Sequence, residues 1–153
     1  MKCLLIYGTL SGSTMTATEL VGASLREAGN DVTMLSIEEA NKEMIAPYGA
    51  LIIASPSWED RGMDGQPLPE VRQLVESLTA SDLAGKKIAL LGLGDTSYPH
   101  YCGAIDVMED ILKKIQTTPS IKSLRIDKYY SMPDNEHKVK AWADTFAALL
   151  KDK

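Results

Sequence analysis

An apolar run, Cys3-Leu4-Leu5-Ile6, leads through Tyr7-Gly8-Thr9-Leu10-Ser11-Gly12-Ser13-Thr14 into a stretch with helical spacing of apolar residues. Strand, small hydroxylated loop, helix N-terminus is the unit from which parallel sheets are built. It is also a phosphate cradle. Backbone N–H groups and the helix dipole hold an anion, and hydroxyls complete its shell. A P-loop would need Gly-x-x-x-x-Gly-Lys-Ser/Thr, with the Lys on the outer phosphates. No Lys or Arg lies in residues 7–14. The segment therefore suits one terminal monophosphate that is held and not transferred. Taken alone, it also fits a plain Ser/Thr N-cap after a strand.

The same alternation continues to the last residue. Strands are expected at residues 2–7, 32–37, 50–55, 87–92 and 121–126. The first helix starts near Ser13, with Ala17, Leu20, Val21, Ser24, Leu25 and Ala28 inward. Gly29-Asn30 caps it. Residues 38–48 read as a polar connection with a short helical turn. Residues 59–66, with Gly62 and Gly65, read as a mobile loop. Pro69 suits the start of a helix whose inner positions are Val71, Leu74, Val75 and Leu78. A further helix follows Gly103, and the last begins near Pro133, with Val139, Trp142, Ala143, Phe146, Leu149 and Leu150 on one stripe. Five strands alternating with helices predict an α/β fold, a doubly wound parallel sheet with helices on both faces. The 153 residues are expected to form a single domain, residues 1–153, with a proper core.

Two more segments follow strands at their C-terminal ends, where open parallel sheets bind ligands. One is Ser55-Pro56-Ser57-Trp58-Glu59-Asp60. The other runs from Leu93 through Gly94-Asp95-Thr96-Ser97-Tyr98-Pro99-His100-Tyr101-Cys102 to Gly103. Each carries an aromatic residue. A flat heterocycle with a phosphorylated tail fits this arrangement, its rings between Trp58 and Tyr98 and its phosphate at residues 9–14. Tyr129 and Tyr130, after the last strand, read as packing, and Trp142 and Phe146 as core.

Charge and cysteines exclude several classes. The formal net charge of −5 argues against nucleic acid or an anionic membrane as partner and favours basic surfaces. Glu59, Asp60 and Asp64 cluster in one loop, and Asp95, Asp106, Glu109 and Asp110 near the other. Cys3 and Cys102 have no CxxC or metal spacing, which points to a reducing compartment. Gly8 ends the first apolar run too early for a signal peptide, and no segment approaches a membrane span, so a cytoplasmic location is expected. Neither His100 nor His137 has the partners of a catalytic triad. Gly92-Leu93-Gly94 has Ser97 where a dinucleotide fingerprint needs its third Gly. A response regulator needs an acidic pair after strand one and an Asp after strand three, where this chain has Gly8-Thr9 and Ser55.

With all three loops in place, the chain resembles the flavodoxins, small FMN-binding electron carriers, over nearly its whole length. Residues 8–14 are similar to the family's phosphate loop, residues 57–60 to its first flavin loop, and residues 94–103, with Gly-Asp-Thr-Ser-Tyr-x-x-Tyr-Cys-Gly, to its second. The short last strand resembles that of short-chain members. The resemblance implies a low-potential one-electron carrier and not an enzyme, with non-covalent FMN and no catalytic or metal site. Thr9, Ser11, Ser13 and Thr14 would bond the phosphate, with Gly12 letting the backbone approach. Leu10 stands where a hydroxyl residue is usual and keeps only its N–H. Within Ser55-Pro56-Ser57, which leads into the first flavin loop, the backbone would lie against the cofactor. Trp58 would cover one ring face and Tyr98 the outer one. Backbone at Gly94, Asp95, Tyr101 and Cys102 would meet the pyrimidine edge, and backbone at Glu59, where the family often has Gly, would lie near N5. A monomer meeting basic-surfaced redox partners is implied. A flavin-dependent quinone reductase on the same scaffold is the rival reading; it needs a substrate cavity over the ring, which aromatic cover on both faces opposes.

Overall fold

The computed structural model describes residues 1–151. Its elements run β1 (Lys2–Tyr7), α1 (Ser13–Glu27), β2 (Asp31–Ser36), β3 (Ala50–Pro56), β4 (Trp58–Asp60), β5 (Met63–Gln66), α2 (Pro69–Ser77), α3 (Ala80–Leu83), β6 (Lys87–Gly94), α4 (Gly103–Lys114), β7 (Leu124–Asp127) and α5 (Asn135–Lys151). Two 3₁₀ turns, Ile37–Glu39 and Lys42–Ile45, occupy the polar connection. Five strands form one parallel sheet in the order β2-β1-β3-β6-β7. This is the doubly wound order expected from the alternation.

The inner strands are continuous apolar runs because helices cover them on both faces. Leu4, Leu5 and Ile6 of β1, Leu51, Ile52 and Ile53 of β3, and Leu90 and Leu91 of β6 are fully buried. Alternate residues feed two cores. Leu5, Ile52 and Leu91 join Val21 and Leu25 of α1 and Val139 and Phe146 of α5. Leu4, Ile53 and Leu90 join Val71 and Val75 of α2 and Ile105 and Met108 of α4. The winding direction reverses after β2, so the switch point lies between the neighbouring strands β1 and β3. At such a switch point the flanking loops diverge to opposite faces and leave a crevice at the carboxyl edge.

Three expectations are corrected. Residues 59–66 are not a mobile loop but most of an antiparallel hairpin, β4–β5. Arg61 and Gly62 form its two-residue turn with φ of 53° and 80°, the type I′ geometry that matches strand twist. The last strand pairs only from Leu124 to Asp127 and not from residue 121. Before it, Ser120 N–H donates to the Ile88 carbonyl (2.7 Å) and the Ser120 hydroxyl accepts from Ile88 N–H (2.9 Å), so the chain joins β6 before the ladder begins. The final helix starts at Asn135, two residues later than expected near Pro133, because the buried Asn135 amide is committed to the chain leaving β7.

Candidate functional site

Gly12 decides the form of the first loop. Its φ of 93° places it in the left-handed region, and it caps α1 without any side-chain cap. The plain Ser/Thr N-cap is therefore not what this segment forms. Gly12 N–H donates to Thr9 Oγ1 (2.9 Å), and the Gly12 carbonyl accepts from Thr16 N–H and Thr16 Oγ1, both 3.0 Å. The first turn of α1 holds no acidic residue, so nothing neutralises the positive end of the dipole. Thr14 is fully buried, yet its Oγ1 has no hydrogen-bond partner. Ser11 and Leu10 are exposed, and Ser13 is half-buried.

The second loop leaves β3 under tight control. The Ser55 hydroxyl, fully buried, accepts from Leu68 N–H (3.1 Å) and donates to the Pro56 carbonyl (2.8 Å). Ser57 N–H donates to the Leu93 carbonyl (2.8 Å), and Ser57 Oγ accepts from Ala104 N–H (3.0 Å). Both side chains thus brace backbone. Trp58 is half-buried against the α2/α4 core, and its indole N–H is buried without a partner. Glu59 is exposed.

The third loop is pinned to β7. Thr96 N–H and Oγ1 both donate to the Asp127 carboxylate, at 2.9 and 3.0 Å. Asp95 Oδ1 accepts from Ser97 N–H (2.7 Å), and this bond, helped by Lys128, holds the Asp95 carboxyl below its ordinary range. Tyr98 stands out 61% exposed. Cys102 caps α4 with φ of 50°. Its buried Sγ donates to the Gly92 carbonyl (3.5 Å), and burial pushes the thiol up to about 11. Burial likewise raises the Tyr101 phenol.

These loops enclose a cleft of about 240 Å³ whose walls include Ser13, Pro56, Ser57, Gly94, Asp95, Tyr98 and Cys102. A second hollow of about 470 Å³ shares Ser57, Asp64 and Tyr98 with it and adds Trp58 and Glu59. Trp58 and Tyr98 therefore wall one continuous trough. Tyr101 lines the neighbouring groove with Met63 and Val107. Five wall residues were not among the expected contacts: Asp64, Leu93, His100, Lys128 and Tyr129. Asp64 sits in a β-bulge, where Asp64 and Gly65 oppose Glu59 alone. It accepts from His100 N–H (3.1 Å), and His100 Nδ1 lies 3.5 Å from the same oxygen. A residue directly after a parallel strand lies at the ligand edge; that rule alone points to Lys128.

The residues fit a flavin mononucleotide. The helix N-terminus has no side-chain cap, a buried hydroxyl lacks a partner, and Trp58 and Tyr98 both line the trough. No described helix is long and apolar enough to cross a membrane.

A family model described as Flavodoxin matches residues 5–142. A flavodoxin of Maridesulfovibrio salexigens is 30% identical over 127 residues, covering 82% of this chain and 86% of that one. A flavodoxin of Nitratidesulfovibrio vulgaris is 32% identical over 149 residues, covering 96% and 97%. Oxidised flavodoxin 2 from Bacillus cereus superposes with a TM-score of 0.83 at 27% identity, covering 97% of this chain and 99% of that one. The match spans the sheet and all three loops of the cleft, so the chain belongs to the flavodoxin family and is an FMN-binding electron-transfer protein.

Proposed function

We propose that this chain is a monomeric, low-potential, cytoplasmic one-electron carrier that holds FMN non-covalently and docks on basic surfaces of redox partners. The phosphate sits at residues 9–14, bonded by Thr9, Ser11, Ser13 and Thr14, with the Leu10 N–H as a further donor and Gly12 letting the backbone approach. The isoalloxazine lies between Trp58 and Tyr98. Backbone at Ser55, Pro56, Ser57 and Glu59 runs along one side, and backbone at Gly94, Asp95, Tyr101 and Cys102 meets the pyrimidine edge. When bound, FMN supplies two one-electron couples. The protein's part is to stack π-rich rings and carboxylates around the ring system, which opposes added electron density and lowers the potentials.

Thr14 carries this reading. A buried hydroxyl without a partner costs about 1–3 kcal/mol, and a phosphate oxygen at the α1 N-terminus supplies the missing acceptor. Titration of the apoprotein tests it. FMN should bind at least roughly 100-fold more tightly than riboflavin, as two charge-assisted hydrogen bonds of about 1.5–3 kcal/mol each require. Equal affinities would remove the phosphate site.

A further inference from the structure

Lys128 is the single Lys or Arg on the walls of the trough among the described residues. It follows the last residue of β7 and adopts φ of 47°, the left-handed region that favours glycine. The surrounding bonds hold it there. Its N–H donates to the Gly94 carbonyl (2.8 Å). Its carbonyl accepts from Ser131 N–H (2.8 Å), Met132 N–H (3.2 Å) and the buried Asn135 amide (3.3 Å). Glycine would satisfy this backbone without strain, so the backbone gives no reason for a lysine. The side chain does.

Lys128 Nζ stands 4.0 Å from Asp95 Oδ1, and its side chain is 38% exposed. That separation is long for a hydrogen bond and leaves the ammonium donors available to another acceptor. Asp95 stays ionised because Ser97 N–H and Lys128 both favour its charged form. Asp64 and His100 face the same cleft from the hairpin and the third loop, and Tyr98 and Cys102 complete its wall. Asp106 is turned away, bonded to Arg125 Nη2 at 2.7 Å. The cleft is thus acid-lined with one fixed cation beside Gly94, Asp95 and Cys102.

We propose that Lys128 sets the second reduction potential of the bound cofactor. The placement of the pyrimidine edge at Asp95 and Cys102 is taken from the proposed function. One electron enters from the partner, which is oxidised, and Lys128 exchanges neither a bond nor a proton. Its ammonium offsets the negative charge gained at that edge, so the second potential lies above the value that the carboxylates alone would impose. The first couple adds less charge there and responds less.

Spectroelectrochemical titration of the holoprotein tests this, with Lys128→Met, Lys128→Gly and Lys128→Arg at low and high salt. Lys128→Met should weaken fully reduced FMN against the one-electron-reduced form on the order of tenfold, as a charge a few ångströms away in a partly wet site does. Tenfold is about 59 mV for one electron, so the second potential should fall by that amount. Lys128→Gly should fall equally, although it relaxes the backbone. Lys128→Arg should stay near wild type. Salt should shrink the Met–wild-type difference, because screening shortens to about 3 Å at 1 M. The apoprotein's affinity for oxidised FMN, read by fluorescence quenching, should change little in all three. An unchanged second potential in Lys128→Met, an Arg variant that shifts as far as Met, or equal shifts in both couples each overturns the inference alone. Wild-type protein that takes up no FMN overturns the site reading and the inference together.

Discussion

Thr14 offers a direct experiment at the scale of one oxygen atom. Its Oγ1 is buried and unpartnered, while its carbonyl accepts from Thr18 Oγ1 at 2.7 Å. Valine has the same shape without the hydroxyl. Thr14→Val should leave the apoprotein as stable or more stable by up to about 1 kcal/mol, because an unsatisfied polar group is removed. It should also weaken FMN about 10- to 100-fold, the loss of one bond to a charged group, and leave riboflavin nearly unchanged. Chemical denaturation and two ligand titrations read these effects. If the variant is less stable and binds FMN as before, the hydroxyl is structural. The turn from β1 into α1 at residues 9–14 was legible in the sequence because it is local: Gly12 turns the chain. Ser55 and Ser57 were legible as residues at the C-terminal end of a strand but not as braces. Their partners, Leu68 N–H and Ala104 N–H, lie 13 and 47 residues away. Lys128 could be found only from its place directly after a parallel strand, since its neighbours Gly94 and Asp95 come from another part of the chain.

Among elements, the long buried strands and the amphipathic helices were readable because both-face burial and helical spacing leave unbroken signatures. The β4–β5 hairpin left none. It is short, its faces do not alternate, and Arg61 replaces the Asn or Gly that marks a type I′ turn. It is nevertheless the element that carries Trp58. Its second strand lies backbone to backbone on the start of α4. Gly65 has φ of 73°, and a Cβ there would meet the His100 Cβ and lie 3.0 Å from the His100 carbonyl oxygen. A Cβ on Gly103 would lie 2.6 Å from the Gly65 oxygen. Gly65→Ala should therefore push the hairpin off the third loop, destabilise the fold by about 1–3 kcal/mol and weaken FMN through loss of the Trp58 wall. Gly62→Ala is the control. It meets a similar backbone penalty of about 1–2 kcal/mol with nothing within 4 Å of the new Cβ. It should keep cofactor affinity. Thermal unfolding with quenching titrations separates the two, and equal loss of FMN affinity in both variants would mean the docked hairpin does not position the ring.

The whole molecule carries its function through charge. The net charge is −5, and the hairpin displays Glu59, Asp60 and Asp64 beside the trough mouth. Of these, Glu59 is exposed, and Asp64 lines both parts of the trough. Fields of this kind reach about 10 Å at 0.1 M salt, enough to orient a partner whose contact patch is basic. Electron transfer to a basic c-type cytochrome, followed by stopped flow, should slow as salt rises. Replacing Glu59, Asp60 and Asp64 with Gln, Asn and Asn should cut the low-salt rate about tenfold, within the range electrostatic steering spans, and flatten the salt dependence. Net charge alone would produce part of that effect, so its position must be varied separately. Glu27 and Asp31 are exposed where α1 ends and β2 begins, and Glu43 is exposed in the 3₁₀ turn Lys42–Ile45. Neutralising those three changes the net charge equally at positions that do not line the trough. That variant should keep the wild-type salt slope. Matching slopes in the two triple variants would show that the monopole acts and the rim does not, and a wild-type slope in the hairpin variant would move the docking face elsewhere.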